Sequence, residues 1–356
     1  MSLSNKSYRL FFKKLTDIDG KSLASSDFRI LNFSINRDLL TKQTSKFEVL
    51  NIPSAIENGD IVEMYDNFGT ILYCGVITLI EDNRITAEQI YGLFDDNWLW
   101  NNPRLTSIEA TLQRIFSNDF QNNRDTLMSS IFNVFDTELI SNTNLTLQSQ
   151  EDKYVVNFSS FLYDIYEKYS ILFDIDIPYG EERPSIKIGS PTLPRLKIGN
   201  NAFIFRNFDI TTEIYETNKL IVYSEDGNTF RGEWYTTTSG ITDNPSALNR
   251  LPKMKTNIVF SDDDLNILKA SSLRNEIYNH HIELELVYDN KLLPFEKLQL
   301  GQGADIYFNG NYYDTILTGY SYQMNSNGGN ETIKLVFGLV RTSLTSKLFK
   351  RLSRWK

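Results

Sequence analysis

Two stretches of this chain read alike, and a duplicated hairpin constrains the fold more than any other feature. The first runs from Gly59-Asp60-Ile61-Val62 to Thr70-Ile71-Leu72-Tyr73-Cys74-Gly75. The second runs from Gly303-Ala304-Asp305-Ile306-Tyr307 to Thr315-Ile316-Leu317-Thr318-Gly319. Each has a Gly and an Asp entering a strand, an aromatic turn, and a Thr-Ile-Leu strand that ends in Gly. Asp60 and Asp305 are 245 positions apart and the closing Gly75 and Gly319 are 244 apart, so the spacing holds to one residue. A period kept that closely reads as duplication of one supersecondary unit. The flanks agree: an apolar entry and turn precede each hairpin (Leu50 to Pro53, Leu298 to Gly301), and another strand pair follows. The expectation is two domains of one β topology, with Asp60–Gly75 lying over Asp305–Gly319.

Between the repeats the hydrophobic period changes. Up to about residue 91, short runs such as Phe28 to Ile35 and Ile61 to Tyr65 alternate or cluster as strands, separated by the turns Asp66-Asn67-Phe68-Gly69 and Asp82-Asn83. Past Trp98-Leu99-Trp100, apolar residues recur at helical spacing from Ser107, again over Asp125 to Phe135, and again over Phe158 to Tyr169. In the last stretch Phe158, Phe161, Leu162, Ile165, Tyr166 and Tyr169 share one face, which reads as core. A hairpin follows, Ile171 to Ile177 and Ser185 to Ile188. Strand patterns resume at Ala202 to Asp209, Leu220 to Ser224 and Phe230 to Thr237. The predicted fold is mostly β with an α/β insert: a first β-barrel over 1–104, the insert over 105–199, and a second β-barrel over 200–345. The second barrel contains a helix near 263–279, and a basic C-terminal tail covers 346–356.

Charge and cysteine usage narrow the function. Against 36 Lys and Arg stand 45 Asp and Glu, a formal charge of −9. Such a field repels phosphates, which disfavours nucleic-acid binding but suits a conduit that DNA must cross without sticking. Aromatic residues make up 13% of the chain, a bias toward residues that pack on pleated sheets. Cys74 is the single cysteine, so no intramolecular disulfide is expected, and its apolar neighbours mark it as a small buried hydrophobe. No run reaches the roughly 18 apolar residues of a membrane span, and the first residues lack a signal-peptide core. Synthesis in the cytoplasm is the expectation.

A search for chemistry yields no catalytic, cofactor-binding or metal-binding residue. His280 and His281 are the two histidines, and their adjacency does not suit one metal site. Asp262-Asp263-Asp264 stands where a helix begins, which favours capping and the helix dipole over a cation site. Asp174 and Asp176 share a strand face, yet in a tight hairpin beside Pro178 they read as a solvated face more than a glycosidase pair. Phosphate-cradling Gly loops, Gly-x-Ser-x-Gly elbows and His-Glu-x-x-His helices are absent. The chain is expected to be no enzyme. The basic segment Lys347 to Lys356 reads either as a solubilising tail or as a dock for an acidic partner.

The order Gly59-Asp60-Ile61-Val62, Phe68-Gly69-Thr70-Ile71-Leu72-Tyr73-Cys74-Gly75-Val76-Ile77, then Ile85 and Gln89-Ile90, resembles the first barrel of the baseplate hub or tail-associated protein family of long-tailed phages. The sequence of parts, barrel, α/β insert and second barrel, is similar to that family along nearly the whole chain. The resemblance implies a homotrimer whose two barrels per chain alternate in a ring that continues the tail tube. It implies contact with the distal tail protein, the tape-measure protein and other tail-tip or receptor-binding proteins, and passage of DNA without specific binding. It places the chain in the virion, at the tail tip. A lysin extension is not expected, because the sequence stops soon after the second barrel. A phage-tail-like particle or a secretion spike would use the same fold. The competing readings are a carbohydrate- or receptor-binding β module and a cell-wall hydrolase.

Overall fold

The computed structural model describes residues 8–15, 24–26, 30–40, 42–66, 69, 71–94, 97–99, 107–145, 155–176, 184–190, 194–199, 205–212, 218–237, 240–247, 256–273, 280–286, 298–325 and 330–338. The chain divides into two compact units, one of residues 1–208, 283–336 and 340–356, the other of 209–282 and 337–339. No helix among the described residues is long and apolar enough to cross a membrane.

The N-terminal third is strand: β1 Arg9–Lys13, β2 Ala24–Ser26, β3 Ile30–Asp38, β4 Thr44–Val49, β5 Ile61–Tyr65, β6 Ile71–Glu81 and β7 Arg84–Gln89. A 3-10 turn at Ile90–Phe94 and β8 Asn97–Leu99 follow. Period-two patterning is plain in β4, where Ser45, Phe47 and Val49 are buried, and in β7, where Ile85, Ala87 and Gln89 are buried. All five residues of β5 are buried, as befits a strand covered on both faces. The turn between β6 and β7 uses Asp82 at φ 47°, a conformation Asp tolerates better than most residues.

The insert holds α1 Ile108–Ile115, a π-helical turn at Phe116–Gln121, α2 Thr126–Phe132, β9 Asp136–Leu139, β10 Val155–Asn157, α3 Phe158–Tyr169, β11 Leu172–Asp176 and β12 Ser185–Gly189. Ser107 caps α1, its Oγ accepting the Ala110 N–H at 3.2 Å. The third helix falls where the stripe from Phe158 put it. Strand β12 pairs antiparallel with β11, the expected hairpin, and parallel with β9, which the sequence did not disclose. At the centre Phe94 is fully buried against Phe116, Phe120, Phe132, Phe158 and Phe173, at centroid distances of 5.2–6.1 Å.

Beyond the insert come β13 Leu196–Ile198 and β14 Phe205–Thr212, then β15 Lys219–Tyr223, β16 Phe230–Thr237, β17 Gly240–Thr242, β18 Thr256–Phe260 and α4 Leu265–Ser272. The chain continues with β19 His280–Leu286, β20 Gly303–Phe308, β21 Asn311–Asn325 and β22 Asn330–Gly338. Strands β15 to β18, which the sequence reading assigned to the second barrel, form a sheet of their own in the order β17-β16-β15-β18. Leu220 and Val222 pack there with Leu268 and Leu273, and Trp234, Val259 and Leu265 border that core. Helix α4 is shorter than expected, and residues 274–279 lie outside the described residues, as does the basic segment at 347–356. The Asp264 side chain caps it, accepting the Asn266 N–H at 2.6 Å.

The long sheet runs β14-β19-β22-β21-β3-β4-β7-β6-β5-β1-β2, with β20 pairing β21 and β13 pairing β20. Numbering each set by its place in the chain, β3-β4-β5-β6-β7 and β14-β19-β20-β21-β22 both have the spatial order first, second, fifth, fourth, third. One spatial order therefore recurs in two sets of five strands. Two barrels were expected. Among the described residues the path stays open and the two sheets are fused edge to edge, because β21 runs on past β20 and pairs with β3.

The residue alignment read from the sequence needs correcting. Gly59 N–H donates to Ile77 O at 2.7 Å and Ile77 N–H to Asp60 O at 2.8 Å. Gly301 N–H donates to Leu317 O at 2.8 Å and Leu317 N–H to Gln302 O at 2.9 Å. Gly59 thus matches Gly301, both at positive φ, and Asp60 matches Gln302, not Asp305. Ile61↔Val76 and Gly303↔Ile316 continue the match, which places Gly75 with Thr315, not Gly319. Identical letters had aligned the hairpins three to four residues out of step.

Candidate functional site

The correct register uncovers paired constructions. Asp60 and Gln302, both buried, each accept a backbone N–H three residues back: Glu57 N–H to Asp60 Oδ2 at 2.9 Å, and Gln299 N–H to Gln302 Oε1 at 3.3 Å. Three residues further along the strand, Glu63 matches Asp305. Lys13 at the end of β1 reaches Glu63 at 3.1 Å, and Arg195 before β13 reaches Asp305 at 2.9 Å. A tyrosine completes each group: Tyr65 Oη donates to Glu63 at 2.8 Å and Tyr312 Oη to Asp305 at 2.7 Å. In both sheets a carboxylate on the third strand therefore ties down the strand flanking it. That flanking strand is antiparallel in the first sheet and parallel in the second.

The Arg195 hydrogen bond, and after it that of Tyr312, holds the Asp305 carboxyl below the usual carboxylate range. An acid depressed in the folded state stabilises above its unfolded pKa, about 4, and loses that contribution as pH falls through the folded value. The urea-midpoint difference between wild type and Asp305→Asn should accordingly be largest near neutral pH and shrink below about pH 4. A difference that is flat or grows on acidification would contradict the assigned pairing.

The seam between the sheets carries side-chain contacts at both ends. β21 and β3 pair antiparallel from Gly319↔Asp38 to Asn325↔Asn32. Tyr8, Phe33 and Tyr322 meet edge to face at its far end, with centroids 5.0–6.3 Å apart. The Tyr8 and Tyr322 hydroxyls lie 2.5 Å apart, and Tyr322 Oη donates to Glu331 at 2.5 Å. Burial raises the pKa of both phenols, so they stay neutral. At the near end the guanidinium of Arg37 lies over the Tyr320 ring, and Asp38 accepts from Gln43 Nε2 at 2.8 Å. A cleft beside it is lined by Arg37, Asp38, Cys74, Gln89, Asp174 and Leu300.

The residues weighed for chemistry do not converge. His280 is buried and His281 half-buried on an alternating strand, so they face opposite sides of β19. Asp262, Asp263 and Asp264 belong to the entry of α4. Asp174 accepts from Gln299 Nε2 at 3.3 Å across the cleft. Cys74 is half-buried, not fully buried as expected. Desolvation, and after it the Glu63 carboxylate, pushes its thiol well up, which keeps it protonated and a poor nucleophile. Among the described residues no group of three or more His, Cys, Asp or Glu could hold a metal ion. In the smaller unit Phe230, Ile258 and Phe260 are more than half exposed, and Tyr223 packs on Phe230 and Phe260 with centroids 5.8 Å away.

No protein-family model and no curated protein sequence matches the chain. Solved structures do. A tail protein from Neisseria meningitidis MC58 superposes with a TM-score of 0.59 at 11% identity, over 94% of this chain and 97% of that one. Prophage tail protein gp18 from Listeria monocytogenes EGD-e gives 0.56 at 14% identity, over 97% and 99%. A chain of the phage P2 baseplate in its activated conformation with Ca gives 0.50 at 13% identity, over 93% and 98%. The fold is thus that of phage and prophage tail and baseplate proteins, along nearly the entire length.

Proposed function

We propose that this chain is a structural, non-catalytic subunit of a phage or prophage tail tip or baseplate, and that three copies form a ring continuing the tail tube. The observation that supports it most is one strand order used twice in a single chain, with the two sheets already joined edge to edge. Three such chains carry six equivalent sheets, so a threefold ring can mate with a sixfold tube. Each sheet is read as one barrel-like domain, with the insert of 105–199 outside the channel. The net charge of −9 fits a passage from which DNA departs freely. Distal tail, tape-measure and receptor-binding proteins are the partners of this reading, and the virion is its location. The exposed Phe230, Ile258 and Phe260 are the observation behind the second reading, a receptor- or carbohydrate-binding module.

Deleting the coding sequence from its phage or prophage tests the first reading. Particles should lose tail completion, and mass spectrometry of purified wild-type tails should find the chain in small, fixed stoichiometry. Normal tails without it would end the proposal. Normal tails that no longer adsorb to host cells would favour the second reading.

A further inference from the structure

The seam between β21 and β3 has a counterpart in the same chain that no described strand occupies. Since Ile77 matches Leu317, residues Thr78, Leu79, Ile80 and Glu81 of β6 match Thr318, Gly319, Tyr320 and Ser321 of β21. On β21 this stretch carries β3: Leu39 N–H donates to Thr318 O at 2.8 Å, and Gly319, Tyr320 and Ser321 stand opposite Asp38, Arg37 and Asn36. On β6 the same edge lies beyond the last residue that β5 covers. Thr78, Leu79 and Glu81 are exposed there, Leu79 at 42%.

The missing strand has a candidate at the far end of the path. β14 is terminal, with β19 as its neighbour, and it holds in its own sheet the place that β3 holds in the first. Their sequences agree as well. Asn32-Phe33-Ser34-Ile35-Asn36-Arg37-Asp38 stands beside Asn207-Phe208-Asp209-Ile210-Thr211-Thr212-Glu213, each reading Asn-Phe-polar-Ile-polar-polar-acid. Arg37 corresponds to Thr212 and Asn36 to Thr211.

We propose that β14 of a second copy pairs antiparallel with the β6 edge, setting Ile80 opposite the partner's Thr212 and Glu81 opposite the partner's Thr211. The proposal rests on the ring reading and gives it a register. An uncovered strand edge is a template for another chain, and the chain itself shows which strand fits this one. The contact is head to tail, the type that generates rings when rotation closes. Its side-chain detail differs from the seam within the chain. A Cβ on Gly319 would lie 2.2 Å from Asp38 Oδ1, whereas the matched Leu79 keeps a full side chain. β6 also turns back at Asp82, while β21 continues to Asn325, so the seam between copies is shorter than the seven-pair seam within one.

Cysteine pairing in a Cys74→Ala background tests this. Ile80→Cys with Thr212→Cys, and Glu81→Cys with Thr211→Cys, are adjacent pairs of which one falls at a non-hydrogen-bonded position close enough for a disulfide. Under mild oxidation at high protein concentration, one of these double variants should give covalent dimers and trimers on non-reducing electrophoresis. The single variants, and Ile80→Cys with Asn207→Cys, should not give trimers. An amine-reactive cross-linker on the unsubstituted protein measures association independently. Trimers with that reagent but none with either cysteine pair would overturn the strand pairing and leave the ring reading standing. Monomer by both measures would overturn both. A disulfide at monomer mass would also overturn the pairing, since it would place the two positions together within one chain.

Discussion

Replacing Phe94 by Ala should cost about 3–5 kcal/mol, the range for emptying a large aromatic site in a close-packed core. Its ring is completely buried, and besides the five phenylalanines around it Tyr91 lies 6.1 Å away. Those partners come from α1's π-helical extension, α2, α3 and β11, so one cavity would loosen every layer of the insert at once. Phe94→Leu, which keeps most of the volume, should cost well under half as much. Leu50→Ala, at a position 51% exposed, should change stability by about 0.5 kcal/mol or less. Urea unfolding followed by tryptophan fluorescence reads all three. Equal losses for Phe94→Ala and Leu50→Ala would mean that the aromatic cluster does not hold the insert together.

Gly75→Ala should be nearly as damaging, at about 3 kcal/mol, for the opposite reason of overpacking. A Cβ there would stand 2.4 Å from the backbone oxygen of Glu88 in β7 and 2.3 Å from the Tyr73 hydroxyl. Neither can retreat easily: Glu88 is within a paired strand, and Tyr73 is fully buried. Gly310→Ala makes the comparison, because its φ of +81° is strained for alanine while nothing lies within 4 Å of the new methyl. It should cost about 1 kcal/mol. In the second sheet the matched position is Thr315, with its side chain buried. The need for glycine at 75 therefore comes from the neighbours Tyr73 and Glu88 and not from the strand order. If Gly75→Ala unfolds at the wild-type midpoint, β6 and β7 must shift apart at little cost.

Much of the local structure could be read from residue order. The face from Phe158 to Tyr169 gave α3 to the residue, because a helical stripe is a property of neighbours in sequence. The hairpin of β11 and β12 and the start of α4 at Asp264 followed from turn and capping chemistry. That two hairpins resemble each other was legible, yet their register was not. Asp60 and Gln302 perform one task with different side chains, as do Glu63 and Asp305. The first hairpin is also two residues longer than the second, with Val76 15 positions after its partner Ile61 and Ile316 13 after Gly303, so a match of letters slid along the strands. Pairings such as β9 with β12 and β21 with β3 leave no periodic trace, since nothing local in either strand names its partner. The β6 edge of the proposed assembly is of this kind, since it offers backbone donors and acceptors and no reactive side chain.

The seam also sets an order of events during synthesis. β3 can take β4 as a neighbour within a few residues, but its other neighbour, residues 319–325 of β21, leaves the ribosome nearly 290 positions later. For most of translation the nascent first sheet therefore carries a bare edge. Contacts of such long sequence separation are closed late and slow the final folding step. Until then the edge is open to pairing with other nascent chains, the exposure that chaperones guard against. A chain cut short before residue 319 would lack the strand that covers this edge of β3, so the final stretch of synthesis decides whether the first sheet is closed off or left as a template for other chains.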